Sequence, residues 1–222
     1  MTILEAIQAR HTVRQYLDRP LSEDIVRVIS ERLASHNAQY QLKMRLVTEN
    51  EAAFGAVLKL FLAKGVRNYI VLAGQKGSDT EERLGYCGID AALLAQSLGL
   101  NSWWVGGTFN KKKVAQAVPL AENEVITGIL VIGYGKEQGK PHESKKAAEV
   151  SRYNGPAPQW FTKGVESALL APTALNKQAF FLEGDGDRVA LTCDNGVFTN
   201  TDRGIVKYHF EQGAGTANFH WA

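Results

Sequence analysis

Apolar side chains recur along this chain at two different spacings, and the spacing sorts its segments into helices and strands. Ile3, Leu4 and Ile7 open with a helical repeat, which stops at Arg10-His11-Thr12-Val13-Arg14. Pro20-Leu21-Ser22-Glu23-Asp24 then reads as a helix start. Ser22 is placed to cap, acids fill the first turn, and Ile25, Val28, Ile29 and Leu33 continue at helical spacing towards Gln39. Lys43 to Thr48 alternates like a strand, Tyr69 to Ala73 is a short apolar run before Gly74, and a helix centred on Ala56 to Leu62 lies between them. Ile89, Leu93, Leu94 and Leu98 predict a helix over Gly88 to Leu98, ended by Gly99. Trp103-Trp104-Val105 stops at Gly106-Gly107, and a basic helix follows from Lys111 to Ala117. Thr127 to Gly133 is a nearly all-apolar strand suited to burial on both faces. Helices interleaved with buried strands predict an α+β fold of the three-layer α/β sandwich kind. The polar stretch Gly135 to Pro158, with its paired Lys145-Lys146, is the one plausible long connection.

Beyond that connection the pattern returns. Leu33-Ala34-Ser35-His36-Asn37-Ala38-Gln39 closes the first long helix, and Leu170-Ala171-Pro172-Thr173-Ala174-Leu175-Asn176-Lys177-Gln178 closes the segment beginning at Phe161. Each is followed by a short strand, Leu42 to Thr48 and Phe180 to Glu183. Helix, small-residue break, Asn-x-Gln and strand therefore recur in order, as expected of one full unit followed by a second copy of its first part. Two further β-like runs, Arg188 to Thr192 and Ile205 to Phe210, complete the tail.

Composition removes several classes of function. Over 222 residues, 25 Lys and Arg face 23 Asp and Glu, and the net charge of +2 gives no long-range field for nucleic acid or a membrane surface. Cys87 and Cys193 stand far apart without a C-x-x-C or Cys/His cluster, which fits neither a disulfide scaffold nor a zinc site and predicts a reducing, cytoplasmic home. The N-terminus lacks a long apolar stretch, and the run Val57 to Ala63, broken by Lys59, is too short to span a bilayer.

Familiar catalytic signatures are missing: G-x-x-x-x-G-K-[ST], G-x-S-x-G, H-E-x-x-H, and a G-x-G-x-x-G between strand and helix. The five histidines show no metal-ligand spacing. Gly133-Tyr134-Gly135 reads as a turn. What stands out is Arg10-His11-Thr12-Val13-Arg14, two arginines around a hydroxyl, able to fork onto an anion such as phosphate. A solvated helix end is the competing reading. Asn176 and Gln178 carry amides suited to a polar ring edge. Gly106-Gly107 at a strand end admits a flat ligand close to the backbone.

These residues carry a resemblance. Arg10-His11-Thr12-Val13-Arg14-Gln15-Tyr16 is similar to the R-x-[ST]-x-[RK]-x-[FY] motif of the FMN-dependent nitroreductases, and Ala171-Pro172-Thr173-Ala174-Leu175-Asn176-Lys177-Gln178 resembles their A-P-S-x-x-N-x-Q-P-W motif. Ile89 to Leu100, followed by Trp103 to Gly107, resembles their central helix and Gly-Gly strand end. The A-P-S-like segment stands late in this chain, where the family usually has it early, and Ala179 replaces the motif's Pro. That order resembles a subgroup in which one chain imitates the usual two-chain assembly.

The resemblance implies a nitroreductase-like domain over residues 1–222 with a central mixed, mainly antiparallel sheet, a first unit at 1–145 and a partial second unit at 159–222. It implies one FMN site within a monomeric pseudo-dimer or a weak homodimer. Arg10 and Thr12, beside His11, would contact the phosphate or ribityl chain with Lys145 or Lys146, while Asn176, Gln178, Gly106 and Gly107 complete the site. Arg14 would lie near N1 and the C2 carbonyl, where a cation about 4 Å from a reduced, anionic flavin is worth up to roughly 4 kcal/mol at an effective dielectric near 20. Hydride would come from NAD(P)H and pass to a small electrophile such as a nitroaromatic or quinone, with no catalytic side chain. Tyr86 and Trp104 are placed to line the substrate side or to be plain core aromatics. A flavin-storing or flavin-sensing module without turnover is the alternative. A cofactor-free interaction domain is a third reading.

Overall fold

The computed structural model describes residues 1–61 and 63–222, Lys59 by its backbone only. Two helices open the chain, α1 (Ile3–Ala9) and α2 (Glu23–Tyr40). Thr2 and Glu5 form a reciprocal capping box on α1, and the Ser22 hydroxyl accepts from the Ile25 amide to start α2. The first sheet follows, built from β1 (Arg45–Val47), β2 (Tyr69–Gln75), β3 (Asn101–Val105) and β4 (Glu124–Gly133) in the order β1-β2-β4-β3. Every pairing in it is antiparallel. Between its strands lie α3 (Ala56–Phe61), α4 (Thr80–Ser97) and α5 (Lys111–Ala117). The sequence reading carried α3 on to Leu62, which lies outside the described residues.

Strand periodicity divides the core in two. Ile70, Leu72, Leu130 and Ile132 face the cluster that holds Leu84, Ile89 and Leu93 of α4. Their neighbours Tyr69, Val71, Ile129 and Val131 face a second cluster with Val13, Tyr16, Phe54 and Val114. The central strands are therefore buried on both faces. α4 begins two turns earlier than its apolar repeat indicates, because the charged turn Thr80–Arg83 is held by Arg83 bonding Asp79 and the Tyr40 carbonyl.

The connection Gly135 to Pro158 contains α6 (Ala147–Val150) and β5 (Ser151–Tyr153). After α7 (Gln159–Ala168) come β6 (Phe180–Asp185), β7 (Arg188–Cys193), α8 (Thr199–Ala214) and β8 (His220–Trp221). β5 to β8 form a second sheet in chain order, with β5 parallel to β6, β6 antiparallel to β7, and β7 parallel to β8. The α+β architecture thus divides its pairing between an antiparallel first sheet and a mixed second one, parallel in two of its three pairings, rather than one mixed central sheet. No helix among the described residues is long and apolar enough to cross a membrane.

Two expectations need correction. Ile205 to Phe210 is not a strand: it lies inside α8, which packs between α4 and α7. Its glycines set the approach, for a Cβ on Gly204 would stand 1.9 Å from the Glu82 carbonyl oxygen, and one on Gly213 2.3 Å from that of Lys163. Tertiary packing here overrides the β preference of Ile205-Val206. The proposed repeat also departs from strict order. Leu33 to Gln39 stays helical within α2, with no break, whereas α7 stops at Ala168, before Pro172, and a single 3-10 turn follows at Ala174–Asn176.

Candidate functional site

The segment after α1 is held extended along the start of β3. Thr12 makes a parallel bridge with Ser102, the Val13 amide donates to the Ser102 carbonyl at 3.1 Å, and Tyr16 bridges Gly135. Buried Asn101 fixes the next wall, its carbonyl oxygen accepting from the Gly135 amide and its amide donating to Gln138. On the far side, Pro172 to Asn176 turns tightly, with Leu175 and Asn176 both at φ 54. The Asp202 carboxylate holds this turn by accepting from the Ala174 amide at 3.0 and 3.1 Å.

These walls enclose a cleft of about 660 Å³, within the size range of small-molecule sites. Arg10, His11, Thr12 and Arg14 line it from the N-terminal segment, Trp103 to Thr108 from the end of β3, and Glu137, Gly139, Lys140 and His142 from the connection. Pro172 to Asn176 and the start of α8, with Phe198, Thr201, Asp202 and Ile205, close the other side. The early basic cluster and the late amide segment therefore meet within one chain.

Arg10 is the unusual member. Its side chain is only 6% exposed, its Nε has no hydrogen-bond partner, and among the described residues no carboxylate pairs with it. Burial pushes its guanidinium down to about 10. His11 is also held below the usual histidine range, by burial first and then by the charges of Arg10 and His142. Behind them, fully buried His209 donates from Nδ1 to the Ser167 carbonyl, and burial pushes it down to about 3, so it stays neutral. Burial pushes the Asp202 carboxyl up to about 6, partly offset by the Ala174 amide. The cleft thus holds a buried guanidinium with no paired carboxylate among the described residues, an exposed Glu137, and in Asp202 a carboxylate reluctant to ionise.

Other predicted residues fall differently. Asn176 lines the cleft, its amide donating to the Glu143 carbonyl. Gln178 is buried outside it, bonded to the Lys145 amide, the Glu143 carbonyl and Asn176. Lys145 is spent on the Gln178 carbonyl, and Lys146 is exposed at the start of α6, its amide donating to Glu149. Neither lysine lines the cleft; Lys140 and His142 of the same connection do. Gly107 is open, but a Cβ on Gly106 would stand 2.5 Å from the Phe198 ring, so that glycine admits an aromatic of the chain itself. Trp104 reaches the cleft, whereas Tyr86 donates to Glu211 and packs edge-on against Tyr208. Arg14 lies over the Trp103 ring, 5.7 Å from its centroid.

Several solved structures with this architecture are described as nitroreductases. A "putative nitroreductase" from Thermotoga maritima superposes with a TM-score of 0.69 at 20% identity, covering 95% of this chain and 82% of its own. A "Putative NADH dehydrogenase/NAD(P)H nitroreductase" from Bacteroides thetaiotaomicron gives 0.54 at 18%, over 67% of this chain and 95% of its own. An "FMN-dependent Nitroreductase" from Clostridium difficile gives 0.50 at 18%, over 62% and 90%. The nitroreductase-like α+β fold is thereby defined. A family model described as "Putative TM nitroreductase" matches residues 2–214, and the chain belongs to that family. No curated protein sequence matches it.

Proposed function

We propose that this chain is an FMN-dependent oxidoreductase of nitroreductase type, taking electrons from a reduced nicotinamide and passing them to a small electrophile such as a nitroaromatic or quinone. Family membership supports the reaction class, and one observation carries the cofactor. Arg10 is a buried guanidinium in the lining of the cleft, its Nε unbonded and no carboxylate paired with it among the described residues. A buried cation of this kind costs several kcal/mol unless an anion completes it, on the order of the penalty for any unpaired buried charge. A phosphate matches its fork of N–H donors. His11, Lys140 and His142 line the same cleft and add donors, and Thr12 adds a hydroxyl.

The remaining lining suits a flat ring. Trp103, Trp104 and Phe198 offer aromatic surface, and Gly107 leaves the backbone open. Bound FMN supplies the two-electron chemistry. The chain's own residues bind, orient and exclude water: Arg10, His11, Lys140 and His142 would hold the phosphate, and Arg14 would place a fixed positive charge beside the ring. Asn176, with its amide committed to Glu143, would shape the edge of the site. Both proposed units, 1–145 and 159–222, contribute walls, so one cleft is complete without a second copy.

The test is the absorption spectrum of freshly purified protein and of protein incubated with FMN, followed by anaerobic NADH or NADPH. Retained yellow colour that bleaches on reductant is the expected result. Protein that stays colourless in FMN overturns the reading. Yellow protein that neither nucleotide bleaches would favour the storage module, with Phe198 packed on Gly106 as the closed ring face.

A further inference from the structure

Asp202 has no place in the reading above, yet it is the one cleft carboxyl that is largely withdrawn from water. It projects from the first turn of α8, and both of its oxygens share a single donor, the Ala174 amide. An ionised carboxylate offers about four acceptor sites. Here the rest of its solvation must come from water in the open cleft.

The groups around it do not supply a counter-charge. Cys193 of β7 is its near neighbour, a thiol held above its usual range by burial. Arg203, the next residue of α8, is shared between the Cys193 thiol and Glu82 of α4, which also pairs with Lys207. Across the cleft stand Arg10, His11, Arg14, Glu137, Lys140 and His142. No cation bonds Asp202 among the described residues, and none acts on it strongly enough to hold its proton off. His209, which Arg10 and His142 influence, lies seven residues along α8, two turns or about 10 Å away.

We propose that Asp202 takes up a proton when an anionic, ring-bearing ligand fills the cleft, so that occupation of the site and protonation of Asp202 Oδ are one linked event. The physical reason is that a ring in the cleft displaces the water that solvates the carboxylate and leaves it the single Ala174 donor. In the free protein burial already holds this carboxyl near 6, so little further change brings it through neutrality. The consequence is a proton stored at Asp202 Oδ beside the bound ligand. This inference rests on the FMN reading, and its experiment separates the two.

FMN binding to the full chain is followed by calorimetry in two buffers of different ionisation enthalpy, from pH 6 to pH 8, for the wild type and Asp202→Asn. The FMN phosphate releases or takes up its own proton equally in both, so the difference isolates Asp202. At pH 7 the wild type is expected to take up as much as about one proton more than Asp202→Asn. Its affinity should fall with rising pH by up to about tenfold per unit relative to the variant, as linkage requires. Identical proton counts and pH slopes in the two proteins would overturn the proposal while leaving FMN binding intact. No binding by either overturns the FMN reading and this proposal with it. Should Asp202→Asn fail to fold, carbon NMR of wild-type protein labelled at aspartate carboxyls decides the matter. One carboxyl signal must move its titration midpoint upward on adding FMN, and the proposal falls if none does.

Discussion

At the scale of the residue, the cleft is organised by groups that are poorly satisfied in the chain alone. Arg10 is buried beside neutral His209 with its Nε unbonded. Replacing an uncompensated buried charge by an apolar side chain of similar volume is often neutral or stabilising. Arg10→Met is therefore expected to raise the stability of the ligand-free protein by about 2 kcal/mol, while removing a charge-assisted contact worth about 2 kcal/mol, roughly a 30-fold loss in FMN affinity. Urea unfolding and fluorescence titration check the two halves; a destabilised variant with unchanged FMN affinity would make Arg10 structural. Arg10 to Arg14 was legible because two arginines around a threonine form a local pattern. Lys140 and His142 are not, since nothing local in that connection sets them apart from the paired Lys145-Lys146, and only the fold turns them towards the cleft. Asp202 and Phe198 leave no local signal at all, because each is set in the cleft wall by a partner far away in sequence, Ala174 and Gly106.

Elements were read well wherever one periodicity dominated. Ser22 starts α2, Gly99 follows the end of α4, and Lys111–Ala117 is helical as its spacing indicates. The miss at α8 has a physical origin. Gly204-Ile205-Val206 and Tyr208-His209-Phe210 favour a strand locally, and the helix exists because α4 and α7 bury it on both sides. That close approach is testable. Gly204→Ala would drive a Cβ into the Glu82 carbonyl of α4, and a Cβ on Gly85 meets the Thr201 carbonyl at 2.1 Å from the other helix. Because backbone rather than a flexible side chain must move, the expected cost is about 3 kcal/mol, at the upper end for overpacking. A lowered thermal midpoint by circular dichroism, with weaker FMN binding as Asp202 and Ile205 shift outward, is the expected pair of observations. A neutral substitution would mean that the helices are not in contact there.

Across the whole molecule, the early and late segments are joined by a buried polar knot between α2, α4 and α8. Asp90 accepts from Arg32, His36 and Tyr208, and Tyr208 packs edge-on against Tyr86. Burial alone would raise the Asp90 carboxyl, but the His36 and Tyr208 hydrogen bonds and the Arg32 charge outweigh it and hold it below the usual aspartate range. With the folded value depressed, its stabilisation is fully present above about pH 4, the unfolded value, and is lost as pH falls through the folded one. Arg32 is 44% exposed, so most of the effect belongs to His36 and Tyr208. Asp90→Asn is expected to cost about 3 kcal/mol at neutral pH, on the scale of a broken buried pair. The gap to wild type should narrow in acid, as read by denaturant unfolding at several pH values. A gap independent of pH would show that the carboxylate charge is not what the knot uses.

Arg10 has a further consequence once the protein is considered in a living cell. On the proposed FMN reading, newly made chains carry an unanswered charge until they meet a flavin nucleotide, and ligand that binds only the native state stabilises it by mass action. Vitamin starvation should then shorten the lifetime of this polypeptide against proteases, and supplementation should lengthen it, so that its abundance follows riboflavin supply without any change in transcription.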